Sequence, residues 1–476
     1  MRGDRSSIGD VDEQAALVPE SDDSAGPAAA AARPRAGAAV PTRTGWALVR
    51  YECVDVLSYT AVAGALHIQT VAKPFILEQF SISIGTLSMI DAIATAVVGP
   101  LVTAAMGPLM RRYNPARIIA CAMIFAPPLA LLLSAVQTLP QYSAAYILVT
   151  MCKVSGDVPC RILLAATHFS DAQLPSIAAI IGSAYSLSGA TIPVFAASFM
   201  TAFGWRMAFV VWAFVAAAWI PCSLHTLRAG PISVGDGRAS KRFAEAADGF
   251  EYESIVRSSK FGAFLCATML IMAVEGFIVG HLQLFLQREA GKTVVEAAYF
   301  YTAFFWCGFA GKVSMGFMLS SGRLSRKVLL GCSSVGFASC WLLLLNVSRT
   351  DADGIAATAH VTVTTNSVRL YSFCISYGYS FGCLYSNLLV HPALLFGRRA
   401  LPRIQAFLFA AVTLGQQAGD TLCGVLHDVA GSYLPLAVMC CGFSLLNLPV
   451  CYAIARWPTY AQLQQQQRGG ASKDFC

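Results

Sequence analysis

The sequence predicts an all-α membrane protein with twelve transmembrane helices in two six-helix halves, and three observations predict it. Of its 476 residues, 56% are hydrophobic and only 12% charged, whereas a soluble domain carries roughly 25% charged residues. Apolar runs long enough to cross the roughly 30 Å hydrocarbon core recur twelve times, centred near residues 61, 95, 127, 154, 189, 215, 272, 307, 337, 382, 413 and 444. They divide six and six around a polar segment, 228–260, that carries Arg228, Arg238, Lys241, Arg242, Arg257 and Lys260. A chain this apolar lacks the residues to clothe a water-facing surface. Soluble enzymes, nucleic-acid binders and disordered scaffolds are therefore excluded as its main class.

Residues 1–45 combine an acidic stretch with an Ala/Pro run and hold nothing that can form a core, which predicts a disordered tail. The first helical half is expected over 46–228, a central loop over 229–259, the second half over 260–457 and a C-terminal tail over 458–476. Each apolar run must be a helix, because lipid offers its backbone no other hydrogen-bond partner and barrel alternation is absent. Lys and Arg fix the orientation. They cluster in the N-terminal tail, at Arg111/Arg112/Arg117, in the central loop, at Arg323/Arg326/Lys327, at Arg398/Arg399/Arg403 and at the C-terminus. The opposite side receives only Arg206, Arg288, Lys292, Arg349 and Arg369. This positive-inside asymmetry places both termini in the cytoplasm, and the plasma membrane is the expected location. Asn346-Val-Ser is a formal glycosylation sequon on the outer side, close to the end of the ninth run.

The sixteen Cys lie mostly inside apolar runs, without CxxC or His/Cys ligand spacing, and read as small hydrophobes. No metal or other cofactor is expected. HExxH and P-loop sequences are absent, and the GxSxG string Gly378-Tyr-Ser-Phe-Gly382 lies inside an apolar run rather than at a strand-to-helix turn, so neither hydrolysis nor ATP-driven pumping is indicated.

Six plus six around a central loop is the layout of transporters built from two repeated halves. The basic clusters repeat as well: Gly107-Pro-Leu-Met-Arg-Arg112 follows the second run, and Gly316-Phe-Met-Leu follows the eighth, leading to Arg323, Arg326 and Lys327. With Arg117 and Gly204-Trp-Arg-Met-Ala-Phe209, these stretches resemble the major facilitator superfamily. Three others resemble its monocarboxylate transporter family and the related bacterial oxalate/formate antiporters. They are Ala72-Lys73-Pro74 with Glu78, Asp91 and Gly99-Pro100; Gly311-Lys312 with Gly316; and Gly424-Val-Leu-His-Asp428-Val-Ala-Gly431-Ser-Tyr433. The resemblance implies a substrate carboxylate held by Lys73, a substrate role for Lys312, and gating roles for Gly107, Arg112, Arg117, Gly316 and Asp428. The sequence departs from the family in three places. Tyr51-Glu52-Cys53-Val54-Asp55 replaces the opening motif of the first helix. Ser170-Asp171-Ala172-Gln173 replaces a basic pair, and Gly308 stands where proton-coupled members carry an Asp.

Charges inside apolar runs are costly, so each is expected to face the bundle interior with a partner. Read from the residues alone, Lys73 either snorkels to the outer interface or binds a carboxylate, for which its three rotatable donors suit it. Lys312 is either a substrate ligand or one arm of an ion pair. Lys153, Asp157 and Arg161 stand at i, i+4 and i+8, which predicts an ion-pair ladder on one face of the fourth helix, with gating as the second reading. Gly156 and Pro159 interrupt that helix. Glu275, in the middle of the seventh run, is the acid best placed to bind and release a proton, or else to pair with Lys312 or Lys153; Asp91 and Asp420 are the alternatives. His67, His281 and His391 are either proton relays or hydrogen-bonded core residues. Tyr185, Trp306, Tyr379 and Tyr385 are the aromatics considered for the cavity wall, with Tyr385 taken as a substrate contact. Gly378-Tyr-Ser-Phe-Gly382 reads as helix packing.

The expected function is secondary or facilitative transport of small organic anions, most specifically monocarboxylates, by alternating access. Transport of amino acids or another small metabolite, and a non-transporting receptor or scaffold of the same fold, are the alternatives. Expected partners are the bilayer, the substrate and a coupled proton; an accessory subunit is left open.

Overall fold

With no water to satisfy it, each apolar run closes its own backbone ladder. The computed structural model describes residues 46–113, 115–158, 160–161, 164, 174–228, 255–321, 324–350, 358–396 and 401–458. Its first six helices are α1 (Trp46–Phe80), α2 (Ile84–Ala92, a π turn Ile93–Val97, then Val98–Arg112), α3 (Pro115–Ala135), α4 (Leu139–Ser155), α5 (Leu174–Phe203) and α6 (Trp205–Arg228). The other six are α7 (Ser259–Arg288), α8 (Val294–Ser321), α9 (Arg326–Ser339 with Trp341–Leu344), α10 (Ser367–Phe396), α11 (Leu401–Ala430) and α12 (Leu434–Arg456). They are the expected runs in the expected order. The tail expected over 1–45, most of the 229–259 loop and nearly all of 458–476 lie outside the described residues.

Several helix starts are written in the sequence. Ser83, Ser258 and Ser325 cap α2, α7 and α9 by accepting the N–H of Thr86, Phe261 and Val328. Thr138 and Gln141 form a reciprocal capping box at the start of α4, with Pro140 in its first turn.

A hairpin between α9 and α10 was not expected. Strand β1 (Leu345–Thr350) pairs antiparallel with β2 (Thr358–Val363), with Asn346 opposite Thr362 and Ser348 opposite His360. The strands are rich in β-branched Val and Thr, and Asp351-Ala-Asp-Gly354 follows β1 with turn-forming residues. Arg369 Nη1, at the start of α10, donates to the side-chain oxygen of Asn346 at 3.3 Å, so the sequon asparagine sits in a paired strand against a helix end.

The most extensive packing joins α8 to α10 and α5, α7 to α11, α1 to α5, and α3 to α6. The first six helices meet the second six mainly where α5 lies on α8 and α2 on α11. Gly378 and Gly382 of α10 face the backbone of Phe304 and Gly308 on α8, and Gly311 of α8 faces that of Tyr379 and Cys383. A side chain at any of these positions would collide with main chain. The small residues thus serve close helix packing, and the room left by Gly308 and Gly311 is filled by α10.

Candidate functional site

Buried charges in a bundle of this kind gather where they can satisfy one another. A cavity of about 130 Å³ lies between α1, α2, α4, α5, α7, α8, α10 and α11. That is room for a small metabolite or a cluster of waters, each water needing roughly 10–15 Å³ on this measure. Lys73, Lys153 and Lys312 line it, against Asp91, Asp157, Glu275 and Asp420. Lys73, Glu275 and Lys312, read in the sequence as charges at membrane depth, therefore reach one space.

One end of the cavity is closed by a network that spans both sets of six helices. Lys73 Nζ lies 2.8 Å from Asp91 Oδ2 on α2 and 3.5 Å from Asp420 Oδ1 on α11. Gln69 Nε2, one turn before Lys73, donates to Asp91 Oδ1 at 3.2 Å and to the Tyr142 hydroxyl at 3.1 Å. On the other side, His281 Nε2 of α7 lies 3.1 Å from Asp420 Oδ1 and 2.8 Å from the Asp420 carbonyl oxygen. Its Nδ1 faces the Tyr433 hydroxyl at 3.3 Å. Lys73 is only 3% exposed, so it does not snorkel to the surface; it is held between two carboxylates. Asp91 and Asp420, considered in the sequence only as alternative proton sites, are its partners.

The middle of the cavity is different. Lys312 of α8 is buried; its ammonium lies 4.4 Å from the centre of the Tyr385 ring and donates to the Gly182 carbonyl oxygen at 3.3 Å. Among the described residues no carboxylate comes within ion-pair distance of it. Glu275 of α7 is buried on the cavity wall, and it too has no ion-pair partner among the described residues. Tyr185 stands nearby, with Lys153 Nζ 5.6 Å from its ring centre. Tyr185 and Tyr385 line the cavity, whereas Trp306 and Tyr379 are exposed on the bundle surface.

The ladder expected on α4 forms only in part. Lys153 Nζ and Asp157 Oδ2 pair at 2.5 Å, but Arg161 does not continue the line. The helix breaks at Gly156, and Arg161 Nε donates to the freed Gly156 carbonyl oxygen at 2.8 Å. Its Nη1 reaches Asp55 Oδ1 at 2.6 Å, the Asp55 carbonyl oxygen at 2.7 Å and Ser58 Oγ at 2.6 Å, all on α1. An i, i+8 relation holds on one face only while the helix is continuous, and the break turns Arg161 towards α1. Asp55 was not singled out in the sequence; a buried acid seeking a partner was the available signal. Arg161→Lys is expected to lower stability by about 1–3 kcal/mol, since a single ammonium cannot serve every acceptor in this fork. Thermal unfolding of the purified protein checks this, and an unchanged midpoint would mean that the fork contributes nothing.

Of the gating residues, Asp428 has a clear contact: its Oδ2 accepts the N–H of Gly85, in the first turn of α2, at 2.8 Å, where the helix dipole favours a negative charge. Gly316 of α8 packs against Ala179 of α5, and Arg117 is exposed. Gly107 and Arg112 lie in α2, and the surroundings of both are outside what the structure describes. His391 Nδ1 bonds the Asn387 carbonyl oxygen at 2.7 Å, as a core histidine does. His67 packs against Tyr185 with the rings tilted and their centres 4.6 Å apart.

Comparison with known proteins agrees with this architecture. A solved structure of a bacterial homolog of the human lysosomal transporter Spinster, in an inward-facing and unoccupied conformation, superposes with a TM-score of 0.62 at 13% identity, covering 87% of this chain and 95% of that one. At that identity the likeness speaks for the fold alone. No curated protein sequence matches. The family model of the Major Facilitator Superfamily matches residues 56–419, well over half of the chain. This is a multi-pass membrane transporter that belongs to the Major Facilitator Superfamily.

Proposed function

We propose that the protein carries small organic anions, specifically monocarboxylates, by alternating access, with the substrate carboxylate resting on Lys312. The observation that carries this reading is the state of that lysine. A buried ammonium without a counter-ion is costly, and Lys312 faces the cavity with a carbonyl and an aromatic ring but no carboxylate within ion-pair distance among the described residues. A bound carboxylate supplies what is missing. The resemblance assigns this task to Lys73, but Lys73 is already matched by Asp91 and Asp420, so we assign it a role in joining the two halves instead.

The contacts of α2 with α11 and of α5 with α8 are the surfaces on which the halves rock in such a cycle. In this reading both termini are cytoplasmic, and the Asp428–Gly85 contact and the Lys73 network close the outer side of the plasma-membrane protein. Proteoliposomes holding the purified full chain test the substrate class. Saturable uptake of labelled lactate, pyruvate or a longer monocarboxylate, with no uptake of neutral hexoses, is expected. Uptake of hexoses without any carboxylate would overturn the reading.

A further inference from the structure

We propose that the carried carboxylate also bears an amino group: the substrate is an amino acid, held at its carboxylate by Lys312 and at its ammonium by Glu275. This rests on the assignment of the carboxylate to Lys312 and extends it to the opposite charge in the same cavity.

Lys73 is matched by Asp91 and Asp420, and Lys153 by Asp157. Of the charged side chains lining the cavity, Lys312 and Glu275 alone have no ion-pair partner among the described residues, one cation and one anion. They come from neighbouring helices of the same six-helix set, α8 and α7. Among the described residues no ion pair joins the two. Two opposite charges held apart in a space of low dielectric are the complement of a molecule that carries both charges at a fixed separation.

The neighbouring acids are already provided for. Asp91 faces Lys73, Asp157 faces Lys153, and Asp420 faces both Lys73 and His281. Glu275 is the lining acid left without such a partner among the described residues, and the ammonium of an amino acid supplies one.

The walls indicate what the remainder of the molecule is. Met272 and Val279 stand one turn to either side of Glu275 on α7, and Phe409 and Val412 face the cavity from α11. These residues suit an apolar side chain. Tyr385, beneath the Lys312 ammonium at 4.4 Å, holds that lysine in place through its ring face.

The rival for Glu275 is a proton, which would leave a plain carboxylate as the substrate. A matched pair of ligands separates the two: leucine, and 4-methylpentanoate, the same skeleton without the amino group. Binding is read from the thermal stabilisation of the purified full chain as each ligand is titrated. Leucine is expected to bind at least about tenfold more tightly than 4-methylpentanoate, the worth of one charge-assisted contact. Glu275→Gln, nearly the same in shape, is expected to weaken leucine until the two ligands are level. If that variant does not fold, the wild-type comparison still decides. Equal or tighter binding of 4-methylpentanoate to the wild type would overturn the amino-group proposal while leaving the carboxylate reading standing. So would binding of 4-methylpentanoate that tightens at acidic pH in the wild type and not in Glu275→Gln, since the proton would then occupy the place given to the ammonium. Leucine binding that survives Lys312→Ala would overturn the carboxylate assignment on which the proposal rests, and failure of both ligands to bind the wild type would overturn both.

Discussion

Lys73→Ala is expected to destabilise the protein by about 3–5 kcal/mol, the cost of removing one partner from a buried ion pair. Lys73 stands between Asp91 of α2 and Asp420 of α11, at 2.8 and 3.5 Å, and all three side chains are 5% exposed or less. Without the ammonium, two carboxylates face each other across the junction of the two six-helix sets, with Gln69 and His281 as their remaining side-chain hydrogen-bond partners among the described residues. The cost belongs to the stranded carboxylates more than to the lost contact, so it is reversible by design. Lys73→Met combined with Asp91→Asn and Asp420→Asn is expected to recover most of the loss. Unfolding midpoints of the purified proteins measure both effects. The triple variant also separates the two roles considered for Lys73. A strut between the halves predicts that the neutral variant, once folded, still binds carboxylate; an anchor for the substrate predicts a stable protein that binds none.

How much of this was legible in the sequence follows from the range of each interaction. The twelve helices were readable because lipid imposes a local requirement, a long apolar run, on each of them. Among the described residues, eight of them are long and apolar enough to cross a membrane by length and composition alone. Those that are not include α1, which carries Glu52, Asp55, Lys73 and Glu78, and α11, which carries Gln416, Gln417, Asp420 and Asp428. Both line the cavity, as do α7 and α8, which carry Glu275 and Lys312 and are among the eight. The Lys153–Asp157 pair was legible because i, i+4 spacing on a helix is itself a distance. The Lys73–Asp420 pair joins residues 347 positions apart, and nothing in either segment names the other. Arg161 shows an intermediate case: the break at Gly156 was read, but its consequence, a turn of the guanidinium towards Asp55, needs the placement of α1. The π turn at Ile93–Val97 and the hairpin between α9 and α10 depend on packing and pairing that periodicity does not encode.

Lys312→Ala is expected to remove carboxylate binding and transport while leaving the fold intact. The lysine donates to one carbonyl and lies over one ring, with no acid to be stranded within ion-pair distance among the described residues. Its loss therefore costs the empty protein much less than the loss of Lys73. The bound substrate loses charge-assisted hydrogen bonds worth about 1.5–3 kcal/mol each; with two such bonds, affinity falls by at least about 100-fold. Arg at this position is expected to rescue only in part, because the planar fork does not match a site shaped for a compact ammonium above Tyr385. The direct measurement is equilibrium binding of a radiolabelled carboxylate, taken from those the uptake experiment identifies, to the purified wild type and to Lys312→Ala. The account predicts saturable binding to the wild type and none to the variant, with unfolding midpoints within a few degrees of each other. Wild-type affinity in Lys312→Ala would contradict it.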